Sequence, residues 1–254
     1  LACINLINGV FPICFRALLL SIFIKYMKKN ILSIILFVIF TTQTLSHTEH
    51  YKNVNSLEYE LFRNNKLIGY HKYKFERKGE NVKVNSIIKF KITKLGVDLY
   101  KYDAVSLEEY KKNQLTKFSS KTNQNKKIKN TKIHLDKKKN MLIVTGSENQ
   151  LSSPKNYPVG TWWNHEIVQA KAQISAISGR VIEQKVTFLG KEELSLYGKT
   201  YDALRFNFSS SDETLKANKK LNTDVWYDEK TKLWLKAAFD KTGYWEYRLK
   251  NYNE

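Results

Sequence analysis

Cysteine is confined to Cys3 and Cys14, and from His47 to Glu254 the chain has none. That stretch therefore holds no disulfide, no thiolate nucleophile and no cysteine-ligated metal, and a domain there must be held by its core. Long hydrophobic runs are missing as well. The two apolar stretches, residues 17–24 and 31–40, fall short of the roughly twenty residues a helix needs to span a bilayer. Proline occurs three times, and only Pro154 and Pro158 lie beyond residue 46. Those two bracket a loop, because proline has no donor for a strand ladder. The chain has no GxSxG elbow and no Gly-rich phosphate loop. Its five histidines, His47, His50, His71, His134 and His165, show no HExxH or HxH spacing. These absences weigh against motif-borne hydrolases, nucleotide binders and zinc enzymes, without excluding a site assembled from distant residues. Glu108-Glu109 and Glu192-Glu193 are adjacent pairs. On strands their side chains point to opposite faces, so neither pair can act together as acid and base.

What is present begins with Met27-Lys28-Lys29-Asn30, the apolar run 31–40, and Thr44-Leu45-Ser46 before His47. A short basic head, an apolar middle and small residues at the two positions a signal peptidase reads predict a secretory signal peptide over 27–46. No cysteine follows the run, so lipid attachment at the cleavage point is not expected. An uncleaved signal anchor in the inner membrane is the alternative. Residues 1–26 precede the first methionine and are set aside as an upstream extension, either an over-extended frame or a piece of a longer precursor. Residues 47–254, 208 in all, suffice for a single β-rich exported domain with a sizeable core, in the periplasm of a Gram-negative bacterium.

Residues 1–46 hold four of the 43 lysines and arginines and no acid, which leaves 39 cations against 24 acids, a net charge of +15. Most lysines alternate with apolar residues and read as solvated outer faces of strands. Residues 111–140 depart from this, with eleven lysines and one acid, Asp136. Lys126, Lys127, Lys129, Lys137, Lys138 and Lys139 are the candidate anionic-surface face. Its expected partner is lipid headgroups of the cell envelope rather than nucleic acid.

Period-two alternation dominates the rest. Leu57, Tyr59 and Leu61 share one strand face, and Leu67, Gly69, His71, Tyr73 and Phe75 another. Alternation continues through residues 82–92, 100–110, 114–121, 128–135 and 141–146, and resumes over 182–188, 192–196, 204–208, 223–227, 232–239 and 244–249. Short polar turns such as Asn64-Asn65 join the segments, so sequence neighbours should pair antiparallel. Residues 160–170 alternate little and predict one short helix capped by Thr161. The expected fold is mainly β, a strongly curved antiparallel sheet or open β-barrel of about a dozen strands with one short helix as lid. No repeat or low-complexity linker interrupts it.

The one unusual cluster is Trp162-Trp163-Asn164-His165. Two tryptophans after a proline-flanked loop could cap a cavity, with Asn164 as a polar contact, or could simply anchor the helix to the sheet. His71 and Tyr73, on an apolar strand face, complete the candidate ligand-binding set. No catalytic residue, metal ligand or cofactor is assigned, and the oligomeric state is left open.

Tyr59-Glu60-Leu61-Phe62-Arg63-Asn64-Asn65-Lys66-Leu67-Ile68-Gly69-Tyr70-His71 resembles the opening hairpin of a family of exported bacterial proteins catalogued as a domain of unknown function, of the sixty-one thirty-four type. Tyr100-Lys101-Tyr102, Glu109-Tyr110, Leu115, Lys121-Thr122-Asn123, Trp163-Asn164 and Val225-Trp226-Tyr227-Asp228 follow in the family's order. The likeness covers nearly the whole of 47–254. Members usually show Tyr-Trp-Asn-Pro where this chain has Trp162-Trp163-Asn164-His165. The resemblance implies export and an architecture similar to the lipoprotein-carrier fold, an open barrel with a helical lid over an apolar cavity. It implies no reaction. Three functions are carried forward. The first is a periplasmic binding or carrier module for a lipid or other apolar ligand. The second is a solid-cored envelope structural or interaction protein using the lysine-rich face. The third is an enzyme built from His71, His134 or His165 with a carboxylate.

Overall fold

The computed structural model describes residues 51–147 and 150–254, less the side chain of Asn218. The predicted signal peptide 27–46, the extension 1–26, and His47 and His50 lie outside the described residues. All that follows concerns the unit formed by residues 46–254.

Fourteen strands form one sheet. They are β1 (Ser56–Arg63), β2 (Lys66–Lys78), β3 (Asn81–Lys94), β4 (Val97–Lys111), β5 (Gln114–Gln124), β6 (Lys127–Asp136), β7 (Met141–Gly146), β8 (Gln150–Pro154), β9 (Ala172–Ile174), β10 (Val181–Leu196), β11 (Lys199–Ser210), β12 (Asn222–Asp228), β13 (Trp234–Asp240) and β14 (Tyr244–Asn253). Two meanders, β1–β8 and β9–β14, are joined where β1 pairs with β14, and β8 and β9 are the edges. Asparagine opens the hairpins as expected: Asn64 and Asn65 both take positive φ, 48° and 61°, a conformation asparagine tolerates.

A sheet this wide cannot stay flat, because each strand pair adds right-handed twist. It curls without closing into a ladder. The β9–β10 turn instead packs against the first meander, where the Ser120 hydroxyl donates to the Ala176 carbonyl. A side chain on Gly146 would come within 2.0 Å of the Ser178 carbonyl oxygen, so only glycine admits that turn.

Inner-face residues line up in rows across the strands. Phe75, Val84, Glu108, Phe118, Ile133 and Val144 are successive cross-strand partners and all are buried. Two residues along each strand, the next row reads Tyr73, Ser86, Ser106, Ser120, Thr131 and Gly146. The third reads His71, Ile88, Ala104, Thr122 and Lys129. The side chains shrink abruptly after the first row. That change divides the concave side into a filled half and a hollow half.

The expected curved antiparallel sheet is present, with two corrections. The added strands are the edges β8 and β9, five and three residues long, too short for alternation to register. Pro154 ends β8, a position where its missing donor costs nothing. The predicted helix is a five-residue 3₁₀ turn, His165–Gln169, capped by Asn164, whose side-chain oxygen accepts from the Glu166 amide. Residues 160–164 bend instead of joining a helix because the sheet holds their carbonyls: Tyr73 OH donates to Thr161 O at 2.8 Å, and Tyr227 OH to Trp162 O at 2.9 Å.

Candidate functional site

The hollow half contains a cavity of about 610 Å³. Its sheet wall comes from the two smaller-residue rows, through Ser86, Ser106, Ser120, Thr122, Ile88 and Ala104. Two of these hydroxyls face each other across the β3–β4 ladder, Ser86 Oγ and Ser106 Oγ at 2.8 Å. The deep end is aromatic: His71, Tyr73, Trp162 and Tyr247. At the other end, Lys219, Lys220, Asn222, Asp240 and Lys241 line the cavity and are also exposed, so it reaches solvent there.

His71 is 5% exposed and sits among rings, 4.2 Å from Tyr73, 6.0 Å from Tyr247 and 6.2 Å from Trp234 between centroids. Neither ring nitrogen has a hydrogen-bond partner among the described residues. Burial without an anion nearby lowers its pKa from 6.5 to about 3, so the imidazole is neutral. Trp162 holds a left-handed backbone, φ 55°, which is strained for a bulky residue. Its ring meets Trp234 at 5.6 Å and Tyr247 at 5.7 Å, and its buried Nε1 is also without a partner. Buried donors and acceptors left unmatched cost free energy.

Of the five residues singled out from the sequence, His71, Tyr73 and Trp162 meet at this wall. Trp163 and Asn164 lie behind it in the filled half. Trp163 is buried against Tyr51, Phe75 and Tyr110, and Asn164 caps the 3₁₀ turn.

Glu108 is the residue that sequence reasoning passed over. It is fully buried in the filled row. Trp163 Nε1 donates to its Oε1 at 3.0 Å, and Tyr110 OH to its Oε2 at 2.6 Å. Burial raises its carboxyl pKa, against the opposing pull of these donors. Glu109 points outward toward Lys83, at 3.9 Å. The available signal was the run of even-numbered inner residues Tyr102, Ala104, Ser106, Glu108 and Tyr110, in which one carboxylate stands on an apolar face.

The three remaining histidines are not assembled. His165 packs on Tyr227 at 4.7 Å, His134 is exposed on β6, and His71 lies at the cavity. Among the described residues no group of three or more His, Cys, Asp or Glu could hold a metal ion. The lysine face is split. Lys126, Lys127 and Lys129 lie at the start of β6, and Lys137, Lys138 and Lys139 beyond its end, about 30 Å away at strand rise. The deep end of the cavity therefore offers ring faces and hydroxyls, suited to the apolar part of a molecule, and the exposed end offers the charged side chains of Arg180, Lys219, Lys220, Asp240 and Lys241.

Among solved structures, the chain is similar to a β-barrel-like protein of domain of unknown function DUF1849 from Brucella abortus. The TM-score is 0.56 at 11% identity, covering 79% of this chain and 97% of that one. At that identity the likeness shows the fold alone. A comparison with curated proteins finds no match. The model of one family, domain of unknown function DUF6134, matches residues 59–250, a span that contains both inner-face halves and the segment bearing Trp162, and the chain belongs to that family.

Proposed function

We propose that this protein is a binding module that holds a lipid, or another ligand with an apolar body, in the hollow half of its sheet. The observation that carries the reading is the row change from Val84, Phe118 and Ile133 to Ser86, Ser120 and Thr131. It leaves about 610 Å³ beside the unpartnered His71. That volume lies within the range of small-molecule sites, which combine an apolar lining with a few convergent polar groups. The wall hydroxyls of Ser86 and Ser106 are the groups assigned to the ligand's polar atoms, and the rings of His71, Tyr73, Trp162 and Tyr247 to its apolar body. The signal-peptide reading of residues 27–46 supports an activity outside the cytoplasm, in the periplasm. A hollow sheet speaks against the solid-cored alternative.

The test is native mass spectrometry on the exported product of the full chain. A discrete extra mass, released on denaturation, supports the reading and identifies the ligand class. A bare protein mass that persists after incubation with envelope lipid extract overturns it. The same spectrum reports whether residues 1–46 have been removed.

A further inference from the structure

The turns that join β1 to β2, β3 to β4, β5 to β6 and β13 to β14 gather at one end of the sheet, as the antiparallel order requires. Two of them are tied directly: the Tyr244 amide donates to Asn64 Oδ1 at 2.8 Å, and the Asn64 amide to the Tyr244 carbonyl at 2.8 Å. The β3–β4 hairpin carries Leu95 at its tip, 94% exposed with φ 50°, followed by Val97 at 61% and Leu99 at 55%. Leu67 and Ile128, also exposed, flank it from β2 and β6. With Tyr244 at the start of β14, six of the eleven exposed large apolar side chains among the described residues thus lie at this end. Apolar side chains concentrated in this way mark a contact surface, whereas scattered ones do not.

The tip is not a loose loop. Asn125 in the β5–β6 turn braces it. Its amide donates to the Lys101 carbonyl at 3.0 Å, its Oδ1 accepts from the Lys101 amide at 2.6 Å, and its Nδ2 donates to the Leu99 carbonyl at 3.2 Å. The charge around the tip is positive. Asp98 is neutralised by Lys101 at 3.1 Å and Lys91 at 3.6 Å. Lys94, Lys126 and Lys127 are exposed beside the aliphatic group, with no carboxylate partner among the described residues.

We propose that this end of the sheet docks on the surface of an anionic lipid bilayer. Leu95, Val97 and Leu99 enter the headgroup boundary, and Lys94, Lys126 and Lys127 meet the phosphates. Aliphatic insertion and lysine attraction are the two contributions that hold an interfacial element on anionic lipid. The lysines select this partner over a neutral apolar one. The exposed part of the cavity lining, Lys219, Lys220 and Lys241, lies at the same end. Docking there presents the cavity to the lipid without the ligand crossing bulk water. The surface itself stands whether or not the cavity binds.

Hydrogen–deuterium exchange of the full chain on vesicles tests this, because it reads each segment separately from residues 1–46. Phosphatidylglycerol-containing vesicles should slow exchange at residues 94–101 and 125–128, and phosphatidylcholine vesicles should not. Leu95→Asn, and separately Lys126→Gln with Lys127→Gln, should each weaken that protection on the order of tenfold. Both change exposed turns and leave the core intact. Replacing Lys137, Lys138 and Lys139 by glutamine should leave it unchanged. Protection that is absent, that survives both tip variants, or that follows Lys137–Lys139 overturns the docking surface. A ligand mass found without tip protection removes docking and keeps the binding module. Tip protection without any ligand mass does the reverse.

Discussion

The two halves of the concave face are built from the same strands, yet one is packed and the other is not. On β3 to β6 the filled half presents Val84, Glu108, Phe118 and Ile133, and the hollow half Ser86, Ser106, Ser120 and Thr131. Backbone pairing continues without a break from one to the other, so the ladder cannot be what distinguishes them. The difference is side-chain volume and chemistry. Large residues in the filled half, Phe75 and Tyr110 among them, pack on Tyr51 and Trp163. In the hollow half, small hydroxyl residues seat the β9–β10 turn and leave the rest of the space open. Stability thus concentrates at one end, and recognition is left to the other.

The largest effect should come from opening the filled half. Trp163→Ala removes a buried indole that touches Tyr51, Phe75 and Tyr110 and takes away one of the donors to the Glu108 carboxyl. A loss of about 3–5 kcal/mol in denaturant unfolding is expected. A loss under about 1 kcal/mol would mean that this half is not the packed one.

Glu108→Gln sharpens the account of the same half through pH. Burial holds the Glu108 carboxyl above its ordinary 4.5, so the fold favours the protonated form. The stability tied to it is full below pH 4.5 and is lost as pH rises through the raised value. Glutamine does not ionise. The variant should therefore gain on the wild type as pH rises from acid, and an offset that stays constant across that range would refute the raised carboxyl pKa.

His71→Phe probes the deep end of the cavity. The His71 pKa is depressed to about 3 from 6.5. Its contribution is present above pH 6.5 and is lost as pH falls toward 3. Phenylalanine removes that acid-side loss and also the unmatched ring nitrogens. Melting curves at neutral pH should then show a gain of about 1–2 kcal/mol. A destabilised variant would show that the imidazole has a partner within the protein. The smallest effect belongs to Ser106→Leu, which adds volume where there is room. Stability should move by less than about 1 kcal/mol, and the ligand mass in native spectra should disappear.

Much of the framework was legible because alternation has one physical meaning, a sheet with one face turned inward. Leu57-Tyr59-Leu61 and the even-numbered residues from Val82 to Phe90 announce their strands and faces directly. The 3₁₀ turn and the edge strands were not legible, since three to five residues carry no period and tertiary hydrogen bonds to Thr161 and Trp162 override local preference. At the site, Trp162, Tyr73 and His71 stand out as residue types, but the serines opposite them look like ordinary strand polar residues. Ser86, Ser106 and Ser120 are about fourteen to twenty residues apart in the chain. Only ladder register reveals them as one row.

The sequence by itself determined that the chain from residue 51 onward would make strands, which residues face inward, and that cysteine chemistry has no place there. Those properties follow from period and composition, which are local. The tertiary structure alone decided that Glu108 is buried between Trp163 and Tyr110, that His71 lacks a partner, and that the hydroxyls form one wall while the aliphatic turns gather at one end. Those are relations between residues far apart in the chain. They arise only when register across the sheet and its curl bring the rows together.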